Sequence, residues 1–155
     1  MALASWANSR IVERFGLRRV GHSAAAALVV VTGIHAAVAV SGRETLISFV
    51  ILQGLTMCCF AFASSNLGTL AMEHMAPIAG TASSVQGVIG TLGAAVLGFM
   101  IGQAFDGTVM PFAIGTAVCA ALGFVVIVLT EPKRLFEPLA PGVDEEPPCA
   151  PEDLC

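Results

Sequence analysis

Residues 45–72 read TLISFVILQGLTMCCFAFASSNLGTLAM, a run of 28 residues without Asp, Glu, Lys or Arg. Three further uncharged runs of 23, 32 and 24 residues occupy positions 20–42, 74–105 and 107–130. A helix rises about 1.5 Å per residue, so about 20 apolar residues cross a hydrocarbon core about 30 Å thick. Such continuous runs lack the alternation of barrel strands. We therefore predict an all-α membrane protein with four transmembrane helices near residues 20–41, 46–70, 78–104 and 109–130.

The composition of the whole chain agrees with this prediction. Hydrophobic residues make up 56% of the chain and charged residues only 12%, with a mean hydropathy of +0.86. Soluble domains carry about 25% charged residues. We therefore expect the lipid bilayer to be the partner that surrounds the helices. The net charge of −4 and the lack of a basic excess exclude a nucleic-acid partner.

The end of the chain has a different composition from the rest. Residues 131–155 hold seven of the eleven acidic residues and six of the eight prolines. Such a segment cannot bury enough apolar area to offset its chain entropy. We predict a cytoplasmic loop with a helix stub at residues 1–19, four helices within residues 20–130, and a disordered, acidic, Pro-rich cytoplasmic tail at residues 131–155.

The basic residues indicate the orientation of the chain. Four crossings place both termini and the turn at residues 73–77 on one side of the membrane. That side carries six of the seven basic residues, namely Arg10, Arg14, Arg18, Arg19, Lys133 and Arg134. Only Arg43 lies on the other side. Cytoplasmic loops are enriched in Lys and Arg, so we predict that both termini are cytoplasmic and that the membrane is the cell (inner) membrane.

No residue set indicates catalysis. Three of the five cysteines lie in apolar runs and two in the tail, and no pair has metal-ligand spacing. No Ser, Cys or His set has an orienting carboxylate within reach on a helix face. We therefore expect no enzyme activity, no catalytic residue, no cofactor and no bound metal.

Polar residues in the second span recur at helical spacing. They indicate one wall of a cavity with amide, hydroxyl and aromatic groups, formed by Gln53, Thr56, Phe60 and Ser64. The alternative is plain hydrogen bonding between helices, which contributes about 0.6 kcal/mol on average.

Small residues in the third span recur every four positions. We predict that they form a face for helix packing, hereafter the glycine stripe, made of Gly90, Ala94, Gly98 and Gly102. Stripes of this kind allow two helix backbones to approach closely. The alternative interpretation gives this face a role specific to function.

Two histidines lie at the two ends of the first span, His22 and His35. We expect both to lie near the membrane interfaces, where water satisfies the imidazole. The alternative is a role in proton transfer, which intramembrane His, Asp and Glu often serve. No Asp or Glu lies within a predicted span, so the sequence offers no obvious carboxylate for proton coupling.

Two segments carry a resemblance to a known family. Residues 8–19, NSRIVERFGLRR, resemble the acidic-Arg-x-Gly-basic loop signature of major facilitator transporters, in the copy between the eighth and ninth helices. Residues 71–87, AMEHMAPIAGTASSVQG, are similar to the junction of the tenth and eleventh helices in the Bcr/CflA drug-efflux branch. Together the segments place residues 8–136 on the last third of that fold. The four spans then correspond to its helices nine to twelve.

This resemblance implies a C-terminal fragment of a proton-coupled multidrug efflux transporter that exports small amphipathic drug-like molecules. It implies that helices ten and eleven border the substrate path. It also implies a loop motif that biases the inward-closed state, formed by Glu13, Arg14, Gly16, Arg18 and Arg19. A merely positive-inside loop is the alternative for these residues.

The family's transport path lies between two six-helix halves. We therefore expect this chain not to transport alone and to need either the missing helices or a homo-oligomer as a partner. One alternative is a self-contained, oligomeric four-helix small-molecule pump. Another is a non-transporting membrane interaction protein whose glycine stripe binds a partner helix.

The orientation can be tested with reporter fusions. A reporter fused after Gly42 should lie outside the cytoplasm, and one fused after Thr130 should lie inside it, because three spans separate these positions. Activity of a periplasmic phosphatase and fluorescence of a cytoplasmic protein distinguish the two compartments. Both reporters in the same compartment would contradict the predicted crossings.

Overall fold

The computed structural model describes residues 10–12, 15–73 and 75–130. These residues form four long α-helices: α1 (Leu17–Val40), α2 (Leu46–Met72), α3 (Ala79–Gln103) and α4 (Met110–Thr130). Each is long and apolar enough to cross a membrane, and the described ranges contain no strand. The prediction of an all-α chain with four such helices is confirmed. The acidic tail, Glu13, Arg14 and most of the predicted helix stub lie outside the described residues.

Local sequence signals set the start of the first two helices. Gly16 precedes α1 with φ 83° and ψ 146°, a backbone conformation that residues other than glycine rarely adopt. A capping box starts α2: the Thr45 hydroxyl accepts a hydrogen bond from the Ser48 amide at 3.2 Å, and the Ser48 hydroxyl accepts one from the Thr45 amide at 2.8 Å. These bonds satisfy amides that the helix itself leaves unpaired.

The second pair of helices also begins at defined signals. Pro77 lies in a 3₁₀ turn, Ala76–Ile78, which leads into α3. Before α4, the Thr108 hydroxyl accepts a hydrogen bond from the Met110 amide at 3.3 Å and donates one to Asp106 Oδ1 at 2.6 Å. The Thr108 amide also donates to Asp106 Oδ1, at 2.9 Å. The hydroxyl bond, with the amide bond second, holds the pKa of Asp106 below its usual value.

The four helices contribute unequally to the core. The first helix, α1, packs along both α2 and α4, whereas α3 makes only limited contact with α2 and α4. Seven residues of α1 are buried, but none of α3 is. The protein therefore consists of a packed group of α1, α2 and α4 with α3 at its side.

Two glycines outside the predicted stripe make the closest helix contacts. A Cβ at Gly21 in α1 would lie 3.3 Å from Leu67 Cδ2 and 3.4 Å from Asn66 Cβ of α2. A Cβ at Gly115 in α4 would lie 2.7 Å from Ile101 Cγ1 of α3. Both contacts therefore depend on the absence of a side chain.

The glycine stripe of α3 has no such neighbour. Within the part of the chain that the structure describes, nothing lies within 4 Å of a Cβ placed at Gly90, Gly98 or Gly102. Ala94 is likewise exposed. The stripe therefore faces away from α1, α2 and α4, and its role in packing stays a prediction that needs a partner from elsewhere.

Replacing Gly21 by Leu should destabilise the packed group. The new side chain would push α1 away from Leu67, and overpacking of this kind costs about 1–3 kcal/mol. The matched control is Gly33→Leu in the same helix, because nothing lies within 4 Å of a Cβ at that position. Thermal unfolding in detergent should show a lower Tm for Gly21→Leu alone. Equal midpoints for both variants would contradict the close contact.

Candidate functional site

A cavity of about 470 Å³ lies between α1, α2 and α4. Its lining residues fall at positions 25–32, 56–67 and 116–127, near the midpoint of each of these helices, and α3 contributes Ile101. The cavity therefore lies at the depth of the hydrocarbon core if the helices span a bilayer. Its volume is within the range of about 300 to about 1,000 Å³ that is usual for small-molecule pockets.

The lining of this cavity is mainly apolar and contains no ionised residue. Aromatic rings come from Phe60 on α2 and Phe124 on α4. The polar lining consists of hydroxyl and thiol groups, from Thr32, Thr56, Ser64, Thr116 and Cys119. An apolar cavity with a few convergent polar groups is the usual form of a ligand site.

Each lining hydroxyl donates its proton to the backbone of its own helix. Thr32 Oγ1 donates to Leu28 O at 2.7 Å, and Thr56 Oγ1 donates to Leu52 O at 2.9 Å. Thr116 Oγ1 lies 3.0 Å from both Phe112 O and Ala113 O, and Ser64 Oγ donates to Ala61 O at 3.3 Å. Bonds of this kind satisfy hydroxyl donors inside an apolar bundle. The oxygen lone pairs are left as acceptors.

Three of the four residues predicted for the cavity wall line this cavity, namely Thr56, Phe60 and Ser64. Gln53 does not line it. Its Oε1 is buried, with no hydrogen-bond partner among the described residues. Contact of these residues with a substrate stays a prediction.

Sequence reasoning missed the contributions of the first and fourth helices. Thr32 on α1 and Thr116 with Cys119 on α4 complete the polar lining. The spacing of Thr116 and Cys119, three residues apart, was the only signal for a polar face in that apolar span. The resemblance implies a path along helices ten and eleven, whereas this cavity lies against α1, α2 and α4 and touches α3 only at Ile101.

A second polar cluster lies at the turn between α1 and α2. His35 Nε2 lies 2.8 Å from Glu44 Oε1, and the edge of the His35 ring meets the Phe49 ring at a centroid distance of 5.5 Å. His35 is 1% exposed and the Glu44 side chain 11% exposed. The turn after α1 reverses the chain, so Glu44 returns beside the last turns of that helix.

This cluster corrects the prediction for the histidines. We expected interfacial water to satisfy both imidazoles, but His22 and His35 are each only 1% exposed. His35 also has a carboxylate partner, which the sequence reasoning did not find because Glu44 lies between two uncharged runs. The sequence signal for this contact was a carboxylate nine residues after the histidine, across a turn that contains Gly42. In the structure Gly42 has a φ of 66°.

The described residues contain no group of three His, Cys, Asp or Glu side chains that could hold a metal ion. In the predicted loop motif, Gly16 has its positive φ, Arg18 is half-buried and Arg19 is exposed. Glu13 and Arg14 lie outside the described residues. The conformational role of this motif therefore stays a prediction.

The helices and the cavity define an α-helical membrane protein with a small-molecule-sized space inside its bundle. Comparison of the chain with protein-family models, with curated proteins and with solved structures finds no match.

The pair of His35 and Glu44 should stabilise the end of the bundle at the turn between α1 and α2. Hydrogen bonds to charged groups contribute about 1.5–3 kcal/mol, so His35→Gln and Glu44→Gln should each destabilise the protein. The double variant should lose less than the sum of the two single losses. A double-mutant cycle of unfolding free energies in mixed micelles measures this coupling, with the exposed neighbour Arg43→Gln as control. Strict additivity would contradict the contact.

Proposed function

We propose that this chain is the four-helix unit of a proton-coupled transporter that exports small amphipathic molecules, of the major facilitator multidrug efflux type. In this proposal, α1 to α4 occupy the positions of helices nine to twelve of that fold. The chain requires further helices to complete a transport path. The cavity offers the bundle a place for a small molecule at the depth of the bilayer.

The exposure of α3 is the observation that carries this proposal. None of its residues is buried, although it carries several polar residues, namely Thr81, Ser83, Ser84, Gln86 and Thr91. The hydroxyls of Ser83, Ser84 and Thr91 donate to carbonyls of the same helix. A helix with polar residues and a bare glycine stripe is poorly suited to lipid on all sides. It is suited to contact with additional transmembrane helices.

The exposed side chain of Gln86 gives an energetic reason for additional helices beside α3. Its amide approaches α2 near Gly68, where a Cβ would lie 3.9 Å from Gln86 Nε2, but the residue as a whole is exposed. An amide without hydrogen-bond partners is costly in hydrocarbon. Buried polar groups in membrane proteins face protein or a water-filled cavity. Additional helices against α3 would supply both a protein surface and a polar path.

The two sequence resemblances support the type of transporter. The first includes Gly16, whose φ of 83° fits the demand of a tight turn before α1. The second spans the break between α2 and α3, where Pro77 lies. The excess of Arg and Lys at the chain ends supports a location in the inner membrane with both termini in the cytoplasm.

A chimera tests the proposed function. Residues 8–155 replace the last four helices of a Bcr/CflA-type exporter, behind that exporter's own first eight helices. In a host without other drug pumps, the chimera should export a fluorescent drug, and a proton uncoupler should stop the export. Residues 1–155 alone should not exceed an empty vector, because they provide no opposing half.

Two outcomes would contradict this proposal. A chimera that inserts at normal levels but exports nothing would refute the transporter type. Proton-dependent export by residues 1–155 alone would instead favour the oligomeric four-helix pump. In that case His35 and Glu44 become the first residues to replace, since His35 Nε2 lies 2.8 Å from Glu44 Oε1 in a largely buried contact.

The glycine stripe should matter only when the additional helices are present. In the chimera, Gly98→Leu should weaken assembly and export, since it separates α3 from its partner helix. Gly93→Leu lies off the stripe on the same helix and should have a much smaller effect. Native gel electrophoresis and the export assay measure both. Equal behaviour of the two variants would argue against the stripe as the contact face.

A further inference from the structure

We infer that the cavity between α1, α2 and α4 binds uncharged aromatic molecules that carry a hydrogen-bond donor, such as phenols, anilines or indoles. This inference rests on the proposed function in one respect, that the cavity is a ligand site. It adds the chemical class of the ligand. The class follows from the charge, the shape and the hydrogen-bonding state of the lining.

The cavity offers no counter-charge to a charged ligand. No lining residue is ionised, and neither α2 nor α4 contains an Asp, Glu, Lys, Arg or His between its ends. The ionisable residues of α1 are Arg18, Arg19, His22 and His35, and none of them lines the cavity. Glu44, the acidic residue of the turn before α2, is paired with His35 and does not line the cavity. A charged ligand would lose its water without gaining a counter-charge. The attraction of Phe60 and Phe124 for a cation is too small to offset that loss.

The shape of the cavity suits a flat aromatic ligand. The lining combines two aromatic rings with branched and small residues, and one wall includes Gly123, where nothing lies within 4 Å of an added Cβ. Flat aromatic ligands pack well against phenylalanine rings, in stacked or edge-on arrangements. The volume of about 470 Å³ leaves room for a fused two-ring system.

The lining hydroxyls favour ligands that donate a hydrogen bond. The hydroxyl protons of Thr32, Thr56 and Thr116 are donated to backbone carbonyls, so the free valences of these oxygens are lone pairs. A ligand O–H or N–H can use a lone pair without disturbing the helix. A ligand that only accepts would have to take a proton from one of these helix bonds. The cavity therefore favours donors over acceptors of similar shape.

Three naphthalene probes of similar size test the inference: 2-naphthol, 2-methoxynaphthalene and 2-naphthyltrimethylammonium. The full chain is placed in lipid nanodiscs near neutral pH, where 2-naphthol is uncharged. Equilibrium dialysis against empty nanodiscs separates binding to the protein from partition into lipid. We expect saturable binding of one 2-naphthol per chain, about three to about ten times tighter than the methoxy compound. The cation should show no saturable binding.

Variants locate the binding in the cavity. Gly123→Leu places a side chain in the open space and should abolish saturable binding of 2-naphthol. Gly54→Leu is the control, because it adds the same side chain in open space away from the lining. The combined Thr32→Val, Thr56→Val and Thr116→Val variant keeps the side-chain shape. It should reduce the affinity for 2-naphthol to that for the methoxy compound.

The outcomes separate this inference from the proposed function. Equal or tighter binding of the methoxy compound or the cation overturns the ligand class and leaves the transporter proposal to its own export assay. Equal binding by wild type and Gly123→Leu overturns the cavity as the site. An unchanged preference in the valine variant overturns the role of the hydroxyls. Circular dichroism and size-exclusion chromatography verify that each variant is folded.

Discussion

Hydrocarbon supplies no hydrogen-bond partners, and every polar group within these helices must therefore find one inside the protein. The described helices meet this requirement mostly by themselves. Hydroxyls along α1, α2 and α4 donate to carbonyls three or four residues earlier, as in Thr32, Thr56 and Thr116. The polar residues are thus tolerated inside apolar spans. The same bonds decide which valences remain for a ligand.

The arrangement of the helices follows from where the chain permits close approach. Gly21 brings α1 against Asn66 and Leu67 of α2, and Gly115 accommodates Ile101 from α3. The cavity lies near the midpoints of α1, α2 and α4, and Leu67 and Ile101 of these contacts line it. The helix α3 has few contacts of its own, because its glycine stripe faces away from the others. The described residues thus form a packed group of α1, α2 and α4, with α3 at its side and none of the residues of α3 buried.

His35 and Glu44 form a largely buried pair of ionisable side chains at one end of the described helices. It lies at the turn between α1 and α2, whereas the cavity lies near the helix midpoints. The buried interior is itself partly polar, since His22, Thr32, Thr56 and Asn66 are buried within the helices.

The sequence by itself determined the four helices, because uncharged runs of 23 to 32 residues in one chain leave no other stable form in lipid. Helical spacing also placed Gln53, Thr56, Phe60 and Ser64 on one face, and the last three of these residues line the cavity whereas Gln53 does not. The tertiary structure decided which faces meet. Gly21 and Gly115, not the glycine stripe, make the close contacts, and Glu44 reaches His35 across a turn. The physical reason is that helical period fixes neighbours within one helix, whereas contacts between helices depend on how distant side chains fit together.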